Sequence, residues 1–233
     1  MKPLTSLILL ALTPAPALAA PRPVVVELFT SQACSDCPPA DALLRRVQAQ
    51  NPDVLALDLH VTYWNGAAWT DPYSLQAATD RQSHYATLAR NPEVYTPEAV
   101  VDGQNQFVGS DAATMATAIG QASANIAATH PIPVSITTRP EALTVRIGPG
   151  AGAASISLFG FDPEHTTAVL GGENSGATLT EVNIVRSITE LGDWTGQPVT
   201  LNLRPPAGQK FAVLLQAANG KILGAALNEP GRQ

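Results

Sequence analysis

Charge, aromatic rings and sulfur are all scarce in this 233-residue chain, and each shortage removes a class of function. Charged residues make up 14% and aromatics 5%, where an ordinary soluble domain carries about 25% charged residues. Thirteen lysines and arginines stand against nineteen aspartates and glutamates, a net charge of −6 with histidine neutral. The only basic pair of note, Arg45-Arg46, reads as the solvated face of a helix. Nucleic acid and anionic lipid are therefore excluded as expected partners. "GPGAGAA" (148–154) lacks the Lys-Ser/Thr of a phosphate loop, and no G-x-S-x-G turn occurs, which leaves phosphate transfer and serine hydrolysis without support. The four histidines, His60, His84, His130 and His165, never fall at H-x₃₋₅-H spacing, so a zinc-finger ligand set is missing.

No apolar run approaches the ~20 residues of a membrane span. The N-terminal "MKPLTSLILLALTPAPALAA" has one lysine, a short apolar run from Leu7 to Leu12 and small residues at Ala17 and Ala19. That layout predicts a signal peptide over 1–19, cleaved after Ala19, and a mature chain with no membrane span. Export would place the protein in the periplasm or outside the cell, where disulfides persist.

From Val24 onward the chain alternates strand and helix patterns. "VVVELFT" (24–30) is a β-branched run apolar on both faces except at Glu27, as in a buried parallel strand. "PPADALLRRVQAQ" has helical apolar spacing with prolines in its first turn, and "VLALDLHV" (54–61) reads as a second strand. A helical stretch inside 62–91, two short strands around Asp102-Gly103 and a helix from "SDAATMATAIGQA" complete the order βαβαββα. After "THPIPV" (129–134) the pattern changes to short, regularly spaced strands, which predicts an antiparallel sandwich.

The chain's two cysteines lie in "TSQACSDCPPAD" (30–41), between the first strand and the first helix. Three roles are open to Cys34 and Cys37. A structural clip would close a ring of four residues, worth only about 2 kcal/mol by loop entropy. A copper site could use both thiolates and His60, at the end of the second strand. A redox dithiol would use the partial positive charge of the helix start to favour a thiolate at an exposed Cys34, with Cys37 near enough to resolve a mixed disulfide. Asp36, between them, would oppose that acidification.

"VVELFTSQACSDCPPADALL", "HVTYWN…WTDPY", "RQSHYA", "VYTPEAVVDG", "GSDAA" and "GGENSGATLTEVNIVRSITELGDWTG" together resemble an uncharacterised family of secreted, thioredoxin-like bacterial proteins. The resemblance implies a thioredoxin fold in the first half, Cys34 as attacking thiol, Cys37 as resolving thiol and Pro97 as the substrate-side cis-proline. It also suggests Glu27 as a buried proton relay, although thioredoxins place that acid six residues before the first cysteine and Glu27 lies seven before it. Where the family has acidic residues in a "HVDYWD"-like stretch, this chain has Thr62 and Asn65. Tyr63 and Trp64, with Thr96, are candidate substrate-binding residues.

The expectation is an α/β thioredoxin-like domain (20–128, βαβαββα) followed by an all-β, antiparallel sandwich-like domain (132–228). Its expected activity is that of a thiol–disulfide oxidoreductase acting on extracytoplasmic protein thiols or disulfides through Cys34–Cys37, with no cofactor. Copper handling by Cys34, Cys37 and His60, and a non-catalytic binding module, stand as alternatives.

Overall fold

The structure, a computed structural model, describes residues 22–91 and 93–228; the expected signal peptide at 1–19 lies outside them. The first half runs β1 (Val24–Thr30), α1 (Pro38–Gln50), β2 (Val54–His60), α2 (Gln76–Leu88), β3 (Glu98–Val101), β4 (Asn105–Val108) and α3 (Ala112–Ala127). The second half is all strand: β5 (Val134–Arg139), β6 (Ala142–Ile147), β7 (Ala154–Ala168), β8 (Thr178–Trp194), β9 (Val199–Leu203), β10 (Lys210–Gln216) and β11 (Ile222–Leu227).

β1 and β2 pair in parallel from Val24↔Val54 to Thr30↔His60, with α1 as the crossover a parallel pair needs. Every residue of both strands is buried. Odd and even positions then serve different layers, because side chains alternate across a strand. Val25, Phe29, Leu55, Leu57 and Leu59 pack with Ala78 and Tyr85 of α2. Val24, Val26, Leu28, Val54 and Ala56 pack under α1 and α3, against Leu43, Leu44, Met115 and Ile126. The turn joining β3 to β4 places Asp102 at φ 53° and Gly103 at φ 70°, a pairing that favours Asp or Asn followed by Gly.

The expected division into a βαβαββα thioredoxin domain and a separate sandwich is not what the chain forms. The described residues are mostly β with three helices, and one eight-stranded mixed sheet runs through both halves in the order β11-β10-β7-β8-β2-β1-β3-β4. Only β5, β6 and β9 form a sheet of their own. The cause lies in β2. A strand buried on both faces cannot leave one edge unpaired, and β8 closes that edge in parallel through Asp58↔Ile184. Sequence pattern also cut β7 and β8 short. β7 continues past Phe161 through Pro163 to Ala168, and β8 spans seventeen residues. Beyond the sheet these two strands pair with each other, as in Glu164↔Val182 and Thr167↔Leu179, so Glu164, Thr166 and Thr178 stay exposed while Glu181 turns inward and is buried. Ile156, Leu158, Val213 and Leu215 turn to the small sheet, where Leu143, Val145 and Trp194 complete a third core. Among the described residues no helix is long and apolar enough to cross a membrane.

Glu27 is fully buried and paired with Arg81 of α2, whose Nη2 donates to Glu27 Oε2 at 3.0 Å. Tyr85 OH donates to the same carboxylate and accepts from Gln216 Nε2 of β10 at 2.9 Å, joining three elements. Removing one member of a buried pair strands the other charge. Glu27→Ala is expected to lower stability by about 3–5 kcal/mol, and Glu27→Leu combined with Arg81→Met to recover most of it, read from urea unfolding midpoints.

Candidate functional site

The site forms where β1 and β2 end and α1 begins, the region where open α/β sheets gather ligands. From Ser31 the chain descends through successive turns, Cys34 N donating to Ser31 O (3.1 Å) and Cys37 N to Cys34 O (3.2 Å). Pro38 and Pro39 then open the helix, and Cys37 is its N-cap. Cys34 therefore sits one turn ahead of α1 instead of at its first residue. The two prolines offer no N–H, and the next donors, Ala40 and Asp41, are taken by Cys37 O. Fewer free amides face the sulfur than a helix start usually provides.

Cys34 and Cys37 form a disulfide with their Cα atoms 5.5 Å apart. The expected exposed attacker is recessed: Cys34 shows 2% of its surface and Cys37 none, while Ser35 and Asp36 between them are exposed. Cys34 Sγ lies 3.8 Å from the carbonyl oxygen of Thr96, whose peptide bond to Pro97 is cis. Trp64 Nε1 donates to Thr96 Oγ1 at 2.7 Å. Tyr63 OH donates to Gln82 Oε1 (3.1 Å), and Gln82 Nε2 in turn donates to Tyr95 O (2.7 Å), directly before Thr96. Burial first, then Glu98, pushes the Tyr63 phenol up to about 12, against the Gln82 hydrogen bond. Tyr63 and Tyr95 remain 42% and 36% exposed. Thr96, Pro97, Tyr63 and Trp64 thus gather beside the disulfide. Glu27 does not. Its alternation in β1 points it to the α2 side, whereas the cysteines lead into α1 on the other side.

Sequence reasoning gave no site role to a turn from the second half. Residues 169–177 join β7 to β8, and Asn174 Nδ2 donates to both Gln32 O (3.0 Å) and Cys34 O (2.8 Å). Ser35 N donates to Glu173 Oε2 at 3.0 Å, and hydrogen bonds from the Ser35 side chain and backbone hold that carboxyl below its usual range. Gly172, at φ 73°, lies so close that a Cβ there would stand 3.5 Å from Ala33 Cβ. The "GGENSG" string is a turn signal, but nothing local says what the turn rests on.

His60 is fully buried behind the same loop, and neither ring nitrogen bonds a sulfur. Its Nδ1 is 2.7 Å from Asp71 Oδ2, which also accepts from Gln32 N at 2.8 Å. Its Nε2 faces Asp58 Oδ2 (3.6 Å) and Glu181 Oε1 (3.7 Å). Burial would depress the imidazole, but Asp58 and then Asp71 outweigh it and hold it well above the usual histidine range. Burial raises Asp58 and pushes Glu181 up to about 7, in both cases against the pull of His60. Burial also raises Asp41, which sits one turn beyond Cys37 and accepts from Thr30 Oγ1 at 2.8 Å. Asp71 stays low because His60 and two backbone N–H groups, those of Gln32 and Tyr73, overcome its own burial.

The model of the family described as "Protein of unknown function (DUF1223)" matches residues 25–216. An X-ray structure of a protein from Agrobacterium tumefaciens is 32% identical, with a TM-score of 0.76 over 90% of this chain and 96% of that one. HBP35 of Porphyromonas gingivalis shares the fold at a TM-score of 0.60 and 14% identity, over 91% and 78% of the two chains. No curated protein matches.

Two outcomes are expected here. Asn174→Ala frees the loop around Cys34, so dithiothreitol should reduce the disulfide several-fold faster, as followed by thiol alkylation; an unchanged rate would remove the turn from control of access. Glu27→Gln should leave the rate of dithiol oxidation unaltered across neutral pH, because that carboxylate faces the other layer.

Proposed function

The chain belongs to the DUF1223 family of proteins of unknown function, and from that premise we propose that it exchanges thiols and disulfides outside the cytoplasm through Cys34 and Cys37. One observation carries the reading: the two cysteines join in a ring of four residues, with Cys34 Sγ against the Thr96 carbonyl. A ring that small contributes about 2 kcal/mol through loop entropy, little for a bond whose job is only to staple. Its placement before α1, between Thr96 and the Glu173–Asn174 turn, surrounds the bond with polar groups from three parts of the chain.

From the oxidised form, a partner thiolate attacks Cys34 Sγ. The Cys34–Cys37 bond breaks, and its electron pair leaves on Cys37 Sγ, which takes up a proton. A second partner thiolate then attacks the partner's sulfur in the mixed disulfide and releases Cys34 as a thiolate. The partner leaves as a disulfide, and its two electrons remain on the protein dithiol. The reverse sequence reduces a partner disulfide. Cys34 is the point of attack because Cys37 has no exposed surface. A sulfur so recessed suits a thiol on a protruding segment better than one held flat in a folded surface, and Tyr63 and Tyr95 supply exposed rings around Thr96, whose carbonyl meets that sulfur.

Potentiometry against glutathione and trapping with Cys37→Ser test the proposal. A potential between about −270 and −120 mV and a reductant-sensitive adduct on Cys34 that is missing from Cys34→Ser are the expected results. A potential below about −300 mV, the range of structural disulfides, with no adduct would reject it.

A further inference from the structure

From the buried polar cluster behind the disulfide loop we infer a binding site for a divalent first-row transition ion, formed by His60 Nε2, Asp58 and Glu181 Oε1 with Gln32 Oε1 beside them. Asp58 and His60 lie two residues apart on β2, so alternation directs both to the α1 side, and β8 brings Glu181 to meet them. All four residues are at most 1% exposed. Yet Asp58 Oδ1 and Oδ2, His60 Nε2, Glu181 Oε1 and Gln32 Oε1 have no hydrogen-bond partner. Buried polar atoms without hydrogen-bond partners are rare, and the ion-pair contacts of His60 Nε2 with Asp58 and Glu181, at 3.6 and 3.7 Å, are too long to be hydrogen bonds. Five in one place call for an occupant.

The atoms that are bonded show what kind of occupant. His60 Nδ1 is fastened to Asp71, which leaves Nε2 directed inward. This is the carboxylate–histidine arrangement that orients metal-binding imidazoles. Glu181 Oε2 is likewise fastened by Gln32 Nε2 at 2.7 Å, leaving Oε1 free. Both donors are thus held from behind and open in front. Imidazole nitrogen with carboxylate oxygen suits zinc, cobalt or manganese, not a soft monovalent ion.

Spacing and charge agree with this. A tetrahedral centre with bonds of about 2.1 Å separates its donors by about 3.4 Å, and here Nε2 stands 3.6 and 3.7 Å from the two oxygens. Among the described residues no three such side chains are placed to hold an ion as they stand, so the donors must draw together when one binds. The three carboxylates of Asp58, Asp71 and Glu181 have one cationic partner within ion-pair distance, His60. With all three ionised and His60 protonated the cluster carries −2, and a divalent ion in place of the Nε2 proton brings it to −1, whereas a water molecule would satisfy the hydrogen bonds but leave the charge as it is. Of the donors, Glu181 lines a surface depression of about 220 Å³, together with Asp41, Thr178 and Thr180.

The site does not depend on the exchange reaction, so the test uses the oxidised protein, whose sulfurs are not thiolates. Metal-stripped protein is titrated with Zn²⁺ by calorimetry and with Co²⁺ by visible absorption. One ion per chain is expected, with tetrahedral cobalt bands, proton release and no sulfur-to-metal charge transfer. Affinity should fall by about 10- to 100-fold in Asp71→Asn, which loosens the ring, and by at least about tenfold in Asp58→Asn and Glu181→Gln. Glu181→Gln, nearest the surface depression, carries the comparison if Asp58→Asn does not fold. Folded protein that takes up no Zn²⁺, Co²⁺ or Mn²⁺, or variants that bind as the parent does, would overturn the site and leave ordered water as the occupant.

Discussion

Seven consecutive residues of β2 are buried, and the last three include an aspartate and a histidine. Backbone groups in such a strand must find partners on both edges, and its side chains must find them on both faces. β1 supplies one edge in full register and β8 the other, through Asp58↔Ile184. Leu55, Leu57 and Leu59 settle into the α2 layer, while Asp58 and His60 fall to the α1 layer, under the loop that holds the cysteines. The eight-stranded sheet, the acid cluster and the position of the disulfide follow from this one strand.

The second half is consequently part of the site and not an appendage to it. Asn174 clamps the carbonyls of Gln32 and Cys34, Glu173 takes the Ser35 amide, and Glu181 faces His60. Three residues of the β7–β8 hairpin therefore set the backbone around the sulfur, the supply of free amides near it and the charge behind it. With Pro38 and Pro39 removing two further donors, the electrostatic help available to a Cys34 thiolate is modest. For the exchange we propose, that environment would favour a poorly oxidising couple over a strong oxidant.

Much of the neighbourhood could be read in the sequence because it is local. The C-x-x-C pair before a proline-led helix, and the aromatic residues after the second strand, are short-range signals. The alternation that sends Glu27 one way and the cysteine helix the other was available too, but required knowing which side α1 covers. What could not be read was long-range. A single bridging pair joins β8 to β2, and hydrophobic periodicity carries no trace of a partner so far along the chain. Polar residues in "DPEHTT" and "TLTEVN" made two long strands look like shorter ones: Glu164, Thr166 and Thr178 run past the sheet into solvent, while Asp162, Glu181 and Asn183 are buried and held by hydrogen bonds. Cys34 looked accessible for the same reason: its cover comes from Thr96 and from a turn in the other half.

The β2–β8 bridge also governs how the chain must be made. Parallel strands β1 and β2 can meet soon after they are synthesised, but β2 keeps a bare hydrophobic edge until Ile184 emerges. Pairing of this range is slow to form, and an unpaired edge is a template for association with other chains. The longer that edge stays bare, the more such a chain should call on holding chaperones, compared with a chain whose halves mature one after the other.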